Sequence, residues 1–377
     1  MKIAVLHEWL AVNGGSEKVL KEILVAYKNE QPDIFTLFNF LDKENSIEIL
    51  ENKKVKTTFI QNIPFARNLY RLFLPLFPFA VKTINLKDYG LIISSSHAVI
   101  KGINKEINTK HICYCHTPMR YAWDLYEDYM EQSPFYKKVV QAFLIYFLRK
   151  WDYKTAQNVD YFIANSKHVK NRIKKSYNRE SVVIYPPIET EKFLLNKENR
   201  KNYYICFGRL VPYKRVDLVI EAFKEMPDKE LLIVGSGYAE KQLMKLASKH
   251  ENIKFLGFKN TDDLISLVQG AKAGVFAAKE DFGITCVESQ SCGTPVISLN
   301  YGGYKETVVE NVSGIFFNEQ SKSSIKEAVK KFEGNPLSNH ELIREQVLNF
   351  SKERFHKELI AFVNDVQSGQ TEKSMTS

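Results

Sequence analysis

The chain has 377 residues, a formal net charge of +9, five cysteines, and 44% apolar against 26% charged side chains. That length suits two domains, each with a core of its own, and the composition excludes a disordered or fibrous chain. Cys113, Cys115, Cys206, Cys286 and Cys292 form no CxxC pair and no zinc spacing, so they read as reduced thiols of a cytosolic protein, with no metal and no cofactor expected.

Residues 1–190 carry 27 Lys and Arg against 19 acids, a net +8, whereas the remainder carries 26 against 25. Between Asn52 and Lys87 stand seven basic residues and no acid, which points to an anionic surface met by the first half. The opening residues 1–8 are too short an apolar run for a signal peptide. No stretch reaches the ~18 apolar residues of a spanning helix. The expectation is a soluble protein that starts in a strand.

Residues 2–6 read as a buried strand. A loop with Gly14 and Gly15 comes next, then a helix with Val19, Leu20, Ile23, Ala26 and Tyr27 on one face. Strand, glycine loop and helix open a doubly wound α/β domain, without the G-x-G-x-x-G of a dinucleotide fold. Gly14-Gly15 suits either the turn into the helix or close approach to a ligand. Strand-length apolar runs recur at 34–38, 91–94, 111–114 and 161–164. The stretch 59–79 mixes aromatics with Arg67 and Arg71. It fits either contact with anionic lipid or a core helix pair with solvated cations. Lys137 and Lys138, before the apolar run 139–148, add to that surface on the first reading. His116-Thr-Pro118 runs from a strand end into a loop. A lone histidine is commonly structural, but a strand-end position, with Pro118 breaking regular structure beyond it, favours function.

Pro186-Pro187 ends the first series. A second series places strands at 204–207, 231–234, 253–256, 273–276 and 295–299, with helices near 214–225, 238–249, 261–269 and 285–292. The expected domains are 1–188 and 189–349. A last helix at 351–366, with Phe355, Leu359, Phe362 and Val363 on one face, and a polar tail close the chain.

The stretch 279–298 carries most of the chemistry. Glu280 and Glu288 stand with seven residues between them, around a Phe282-Gly283 turn. A helix beginning near Thr285 would aim the free N–H groups of 283 to 286 outward, a ready site for a phosphate or diphosphate. Carboxylates repel phosphate, so Glu280 and Glu288 suit neutral hydroxyls at either end of such a ligand. Diphosphate plus hydroxyls describes a nucleotide-sugar. Thr285-x-x-Glu288 is equally a capping box, which satisfies orphan N–H groups and nothing more. Arg209 and Lys214 come after the first strand of the second series, at a carboxyl end where α/β ligands bind. There they would neutralise a diphosphate; the alternative is surface pairing with Asp217 or Glu221.

These motifs resemble glycosyltransferase family 4, retaining nucleotide-sugar transferases of the GT-B fold. The resemblance runs through Gly14-Gly15-Ser-Glu-Lys, His116-Thr-Pro118, Phe207-Gly-Arg-Leu with Lys214-Arg215, Val234-Gly-Ser-Gly237, Glu280-Asp-Phe-Gly-Ile with Glu288, and Gly293-Thr-Pro-Val-Ile. It implies two Rossmann-like domains facing across a cleft, the last helix crossing back, so that 350–377 joins 1–188 as the acceptor domain and 189–349 binds the donor. It implies that Glu288 holds ribose hydroxyls and Glu280 hydroxyls of the transferred sugar. The backbone of Phe282, Gly283, Ile284 and Thr285, with Gly15, Arg209 and Lys214, would take the phosphates. Gly235 and Gly237 would let the nucleotide lie close, and Phe258 would edge the base or else be a plain core aromatic. His116 would steady positive charge at the reacting carbon. Gly14, Arg120, Tyr121, Trp123 and Asp124 would stand on the acceptor side.

The fuller His116-to-Asp124 string resembles a subset acting on bacterial surface polysaccharides, often as mannosyltransferases. The implied donor is GDP-mannose, with a UDP-hexose or UDP-HexNAc as rival. The implied acceptor is a glycan or lipid-linked oligosaccharide, met in the cytoplasm or at the cytoplasmic face of the inner membrane. A nucleic-acid binder would explain the charge but not the glutamate pair in a near-neutral second half. A dehydrogenase lacks its glycine fingerprint.

Overall fold

The computed structural model describes residues 1–123, 135–196 and 200–370, with the side chains of Arg71, Tyr121 and 135–141 also outside the description. Asp124 therefore lies outside the described residues, as do the side chains of Tyr121, Lys137 and Lys138. The chain divides into two compact units, Met1–Pro187 with Glu353–Ser377, and Ile188–Lys352.

The first unit is built on a parallel sheet of β1 (Ile3–His7), β2 (Asp33–Thr36), β3 (Val55–Thr57), β4 (Leu91–Ser96), β5 (Lys110–Cys115), β6 (Tyr161–Ala164) and β7 (Val182–Val183). Their order is β3-β2-β1-β4-β5-β6-β7, every pairing parallel. β1 and β4 are buried along their whole length, as befits strands covered on both faces. One core cluster takes Val5, Ile93 and Tyr114 from the strands, Leu20 and Ile23 from the helix Gly15–Ala26, and Phe355, Leu359 and Val363 from the helix Lys352–Gln367. The last helix therefore packs on the first unit. Another cluster holds Phe38, Phe77, Val81 and Ile100.

The second unit repeats the plan with β8 (Tyr203–Phe207), β9 (Glu230–Val234), β10 (Ile253–Gly257), β11 (Ala273–Phe276), β12 (Val296–Leu299) and β13 (Gly314–Phe317), ordered β10-β9-β8-β11-β12-β13. Both sheets reverse direction of growth beside their first strand, at β1/β4 and at β8/β11. Such a reversal opens a crevice at the carboxyl ends of the strands.

Three strands are not apparent in the sequence: β3, β7 and β13. The first two are edge strands of three and two residues, and Lys56 and Thr57 of β3 face solvent. The stretch 59–79 is neither strand nor regular helix pair. It forms short helical turns, including Tyr70–Leu76 with Pro75 inside, and then the helix Phe77–Lys82. Phe77 and Ile60 are buried, whereas Phe65, Leu72 and Phe79 are 78%, 70% and 66% exposed. A core helix pair with only its cations in water is therefore not what forms. Among the described residues no helix is long and apolar enough to cross a membrane. The five cysteines are buried and unpaired; burial pushes the thiols of Cys113, Cys206 and Cys292 up to about 12.

Candidate functional site

In the second unit a pocket lies at the β8/β11 reversal, lined by Gly208, Arg209, Lys214, Ala277, Thr285 and Tyr304 among others. It is built from three loops. The first leaves β8 through Gly208, at φ +131°, and Arg209, then makes the turn Pro212–Lys214. The helix expected at 214–225 starts only at Val216, because Arg215 takes a left-handed conformation and pairs with Asp217 at 3.1 Å. Glu221 pairs with Lys224. Asp217 and Glu221 are thus each engaged by another cation. Arg209 is exposed, and its Nη2 donates to the Tyr213 hydroxyl at 3.1 Å.

Lys214 forms an ion pair with Glu280, both side chains mostly out of solvent. Burial disfavours the ammonium, but the Glu280 carboxylate outweighs it and the pKa is raised, so the cation stays charged. Cation and carboxylate, assigned separately to phosphate and to sugar hydroxyls, are here joined. The pairing has a consequence for an incoming diphosphate: Lys214 cancels the carboxylate that would otherwise repel it.

The second loop, after β11, runs from Lys279 to the helix Ile284–Ser291. Gly283 caps this helix at φ +90° with no side-chain cap bond, so the Thr285-x-x-Glu288 capping box does not form. A Cβ at Gly283 would strike the Tyr304 ring. The first ladder bond is Cys286 N–H to Gly283 C=O at 3.0 Å, which leaves the amides of Ile284 and Thr285 ahead of it at the positive helix end. Phe282 is buried and edges Phe350 at 5.3 Å, so its side chain serves packing while its backbone shapes the turn. Glu288 is 6% exposed in the helix's first turns.

The third loop, Tyr301-Gly-Gly-Tyr304, is one to which the sequence alone assigned no role. Gly303 N–H donates to Glu280 C=O at 2.9 Å, and a Cβ at Gly303 would overlap the Phe282 backbone. The adjacent glycines were the available signal: a Gly-Gly pair marks close backbone approach.

Gly235 and Gly237 have a different reason from the one expected. A Cβ on Gly235, at φ +131°, would overlap Gly208 C=O, and one on Gly237 would overlap Leu210 C=O. Gly208 N–H reaches Val234 C=O at 3.0 Å and Leu210 N–H reaches Ser236 C=O at 2.9 Å. These glycines let two loops of the protein lock together and so hold Arg209 in place. Phe258 is 77% exposed just beyond β10, which removes the core-aromatic alternative.

In the first unit, His116 directly follows β5. Its Nε2 lies 2.8 Å from Ser95 Oγ and its N–H donates to Ser96 C=O at 2.9 Å. Gly14 caps the helix Gly15–Ala26, and its N–H donates to Glu17 at 3.2 Å. The glycine pair therefore does form the turn into the helix. Trp123 departs from the acceptor-side assignment: its indole N–H donates to the buried Asp152 at 2.8 Å, and its ring edges Tyr177. Asp152 also accepts from the Tyr177 hydroxyl at 2.8 Å and pairs with the buried Lys101. Trp123 is thus a packing residue. Arg120 is partly exposed.

Two family models match the chain: "Glycosyltransferase Family 4" over residues 13–192 and "Glycosyl transferases group 1" over 187–347. An uncharacterized glycosyltransferase of Methanocaldococcus jannaschii is 29% identical over 52% of this chain and 54% of its own length. The chain thus matches about half the length of that curated relative. A Corynebacterium glutamicum protein, named a GDP-mannose-dependent monoacylated alpha-(1-6)-phosphatidylinositol monomannoside mannosyltransferase, is 40% identical over 27% of this chain and 30% of its own. Among solved structures, Anabaena HepE in complex with UDP superposes with a TM-score of 0.71 at 17% identity, covering 97% of this chain and 100% of that one; this likeness concerns the fold.

Proposed function

The chain belongs to glycosyltransferase family 4 and has the GT-B fold, and from that premise we propose that it is a retaining hexosyltransferase using GDP-mannose. Its acceptor is a hydroxyl of a glycan or lipid-linked oligosaccharide in surface-polysaccharide synthesis, whether O-antigen, capsule or exopolysaccharide. The observation that carries the donor assignment is the pocket at the β8/β11 reversal, where Arg209 and Lys214 meet the start of the helix Ile284–Ser291. Two cations and aligned amides suit a diphosphate and the charge that grows on it as the nucleoside diphosphate departs. The identity to the GDP-mannose-dependent protein supports mannose; a UDP-hexose is the second reading.

On this reading Glu288 accepts from ribose hydroxyls, and Glu280, steadied by Lys214, accepts from hydroxyls of the sugar. His116 steadies positive charge at the reacting carbon. No carboxylate nucleophile is assigned. The acceptor oxygen forms the new bond on the face that the phosphate leaves, and the departing phosphate oxygen takes the acceptor's proton. The protein then supplies position and electrostatics.

Contact with an anionic bilayer is part of the proposal. Phe65, Leu72 and Phe79 stand exposed beside the exposed cations Arg67 and Lys82, a pairing of apolar and basic groups suited to an anionic lipid surface. Sedimentation with vesicles of anionic lipid, weakened in Phe65→Ser/Leu72→Ser, checks it.

The test of the whole reading is release of nucleoside diphosphate from GDP-mannose and from UDP-glucose, with donor affinity measured in parallel. Glu288→Ala is expected to weaken nucleotide binding, and His116→Ala to spare binding and cut turnover. Equal loss of fold in both variants would assign them structural parts instead.

A further inference from the structure

At the reversal of the first sheet, buried polar groups form one connected chain that ends on His116. His7 closes β1 and is in register with Ser95 of β4. His7 Nδ1 lies 3.0 Å from Ser95 Oγ, and the same oxygen lies 2.8 Å from His116 Nε2. At the far end, Glu17 Oε1 stands 3.6 Å from His7 Nε2. The other Glu17 oxygen accepts from Gly14 N–H at 3.2 Å and from the Ser16 hydroxyl at 2.8 Å. His7 and Ser95 are wholly buried, and Glu17 is 3% exposed.

Three polar groups removed from water beside one partly exposed ring are costly unless they find partners. The hydrogen bonds they make give the chain a direction, because the Ser95 hydroxyl has one proton to give and two imidazoles beside it. Burial would raise the Glu17 carboxyl, but the neighbouring His7 ring and the Ser16 bond outweigh it and hold it low. Glu17 is thus an acceptor only, and the facing His7 Nε2 carries hydrogen. With His7 as the neutral imidazole, its Nδ1 accepts the Ser95 proton, and Ser95 Oγ accepts from His116 Nε2–H. A histidine's tautomer is set in this way by the bond its other nitrogen makes.

We propose that Glu17, His7 and Ser95 are positioning residues that fix the ring plane and the tautomer of His116, with its proton on Nε2. The proposal rests on the role given to His116 above. It explains why the glycine turn before the first helix carries a glutamate: Glu17 caps that helix and anchors the chain with the same carboxylate.

The experiment uses the full chain with 15N-labelled histidine, the His116 ring signals being assigned by their loss in His116→Ala. In the unaltered protein, His116 is expected to show one tautomer protonated at Nε2. In Ser95→Ala and in Glu17→Gln its ring nitrogens are expected to shift toward tautomer-averaged positions. Nucleoside diphosphate release in Ser95→Ala is expected to fall severalfold to roughly tenfold, the range for a lost neutral hydrogen bond, at unchanged nucleotide affinity. Ring signals and turnover both unmoved in Ser95→Ala would overturn the positioning role. Full turnover in His116→Ala would instead overturn the role of His116, and the proposal with it.

Discussion

Two sheets with the same strand order meet the crevice at their reversal in opposite ways. At β1/β4 the strand ends carry His7, Ser95 and Ser96, which side-chain hydrogen bonds link to one another, to His116 and to Glu8. Glu8 also accepts from the backbone amides of 97 to 100. At β8/β11 the strand ends carry Gly208 and the alanines 277 and 278, and the wall is completed by cations and helix amides. One reversal is filled with polar groups of the protein itself, the other opens as a pocket beside two cations and a helix start. Topology places a crevice; the residues just past the strands decide whether it orients a side chain or receives an anion.

The comparison can be broken most forcefully at Gly235. A Cβ there overlaps Gly208 C=O at a φ that L residues rarely adopt, so Gly235→Ala should cost about 3 kcal/mol or more, lowering the melting temperature of the second unit and removing its nucleotide response. A smaller, pH-dependent loss is expected in the first unit. The folded-state pKa of Glu17 near 2 lies below its ordinary 4.5. Its contribution, on the order of 3 kcal/mol, is therefore present above pH 4.5 and lost as pH falls toward 2. Denaturant titrations between those limits should show this acid loss, diminished in Glu17→Gln. His116→Ala should cut nucleoside diphosphate release by about a hundredfold while leaving donor affinity unchanged, which separates the oriented side chain from the anion site. The smallest effect is that of Phe258→Ala. With its ring exposed, stability should move by less than about 0.5 kcal/mol, and any change in binding should distinguish one nucleotide base from another.

Much of this frame was legible in the residues, because buried parallel strands read as continuous apolar runs: β6 and β11 fall where periodicity places them. The edges β3 and β7 were not, since strands of two or three half-solvated residues carry no pattern. At the pocket, the two cations and the helix start could be found from their positions in the chain. Their partners could not: the Lys214–Glu280 pair spans 66 positions and the His7–Ser95 bond spans 88. Gly235 shows the remaining gap. A glycine announces close approach, but only the fold says whether a ligand or another loop approaches.

The central claim, that the β8/β11 pocket receives a nucleoside diphosphate, is tested most directly by melting curves with GDP, UDP, ADP and NAD in large excess. A ligand at a hundred times its Kd adds about 2.7 kcal/mol. A clear rise with GDP or UDP that disappears in Arg209→Ala is the predicted result, and the larger of the two names the donor's base. No rise with either, or a rise that Arg209→Ala leaves intact, would contradict it.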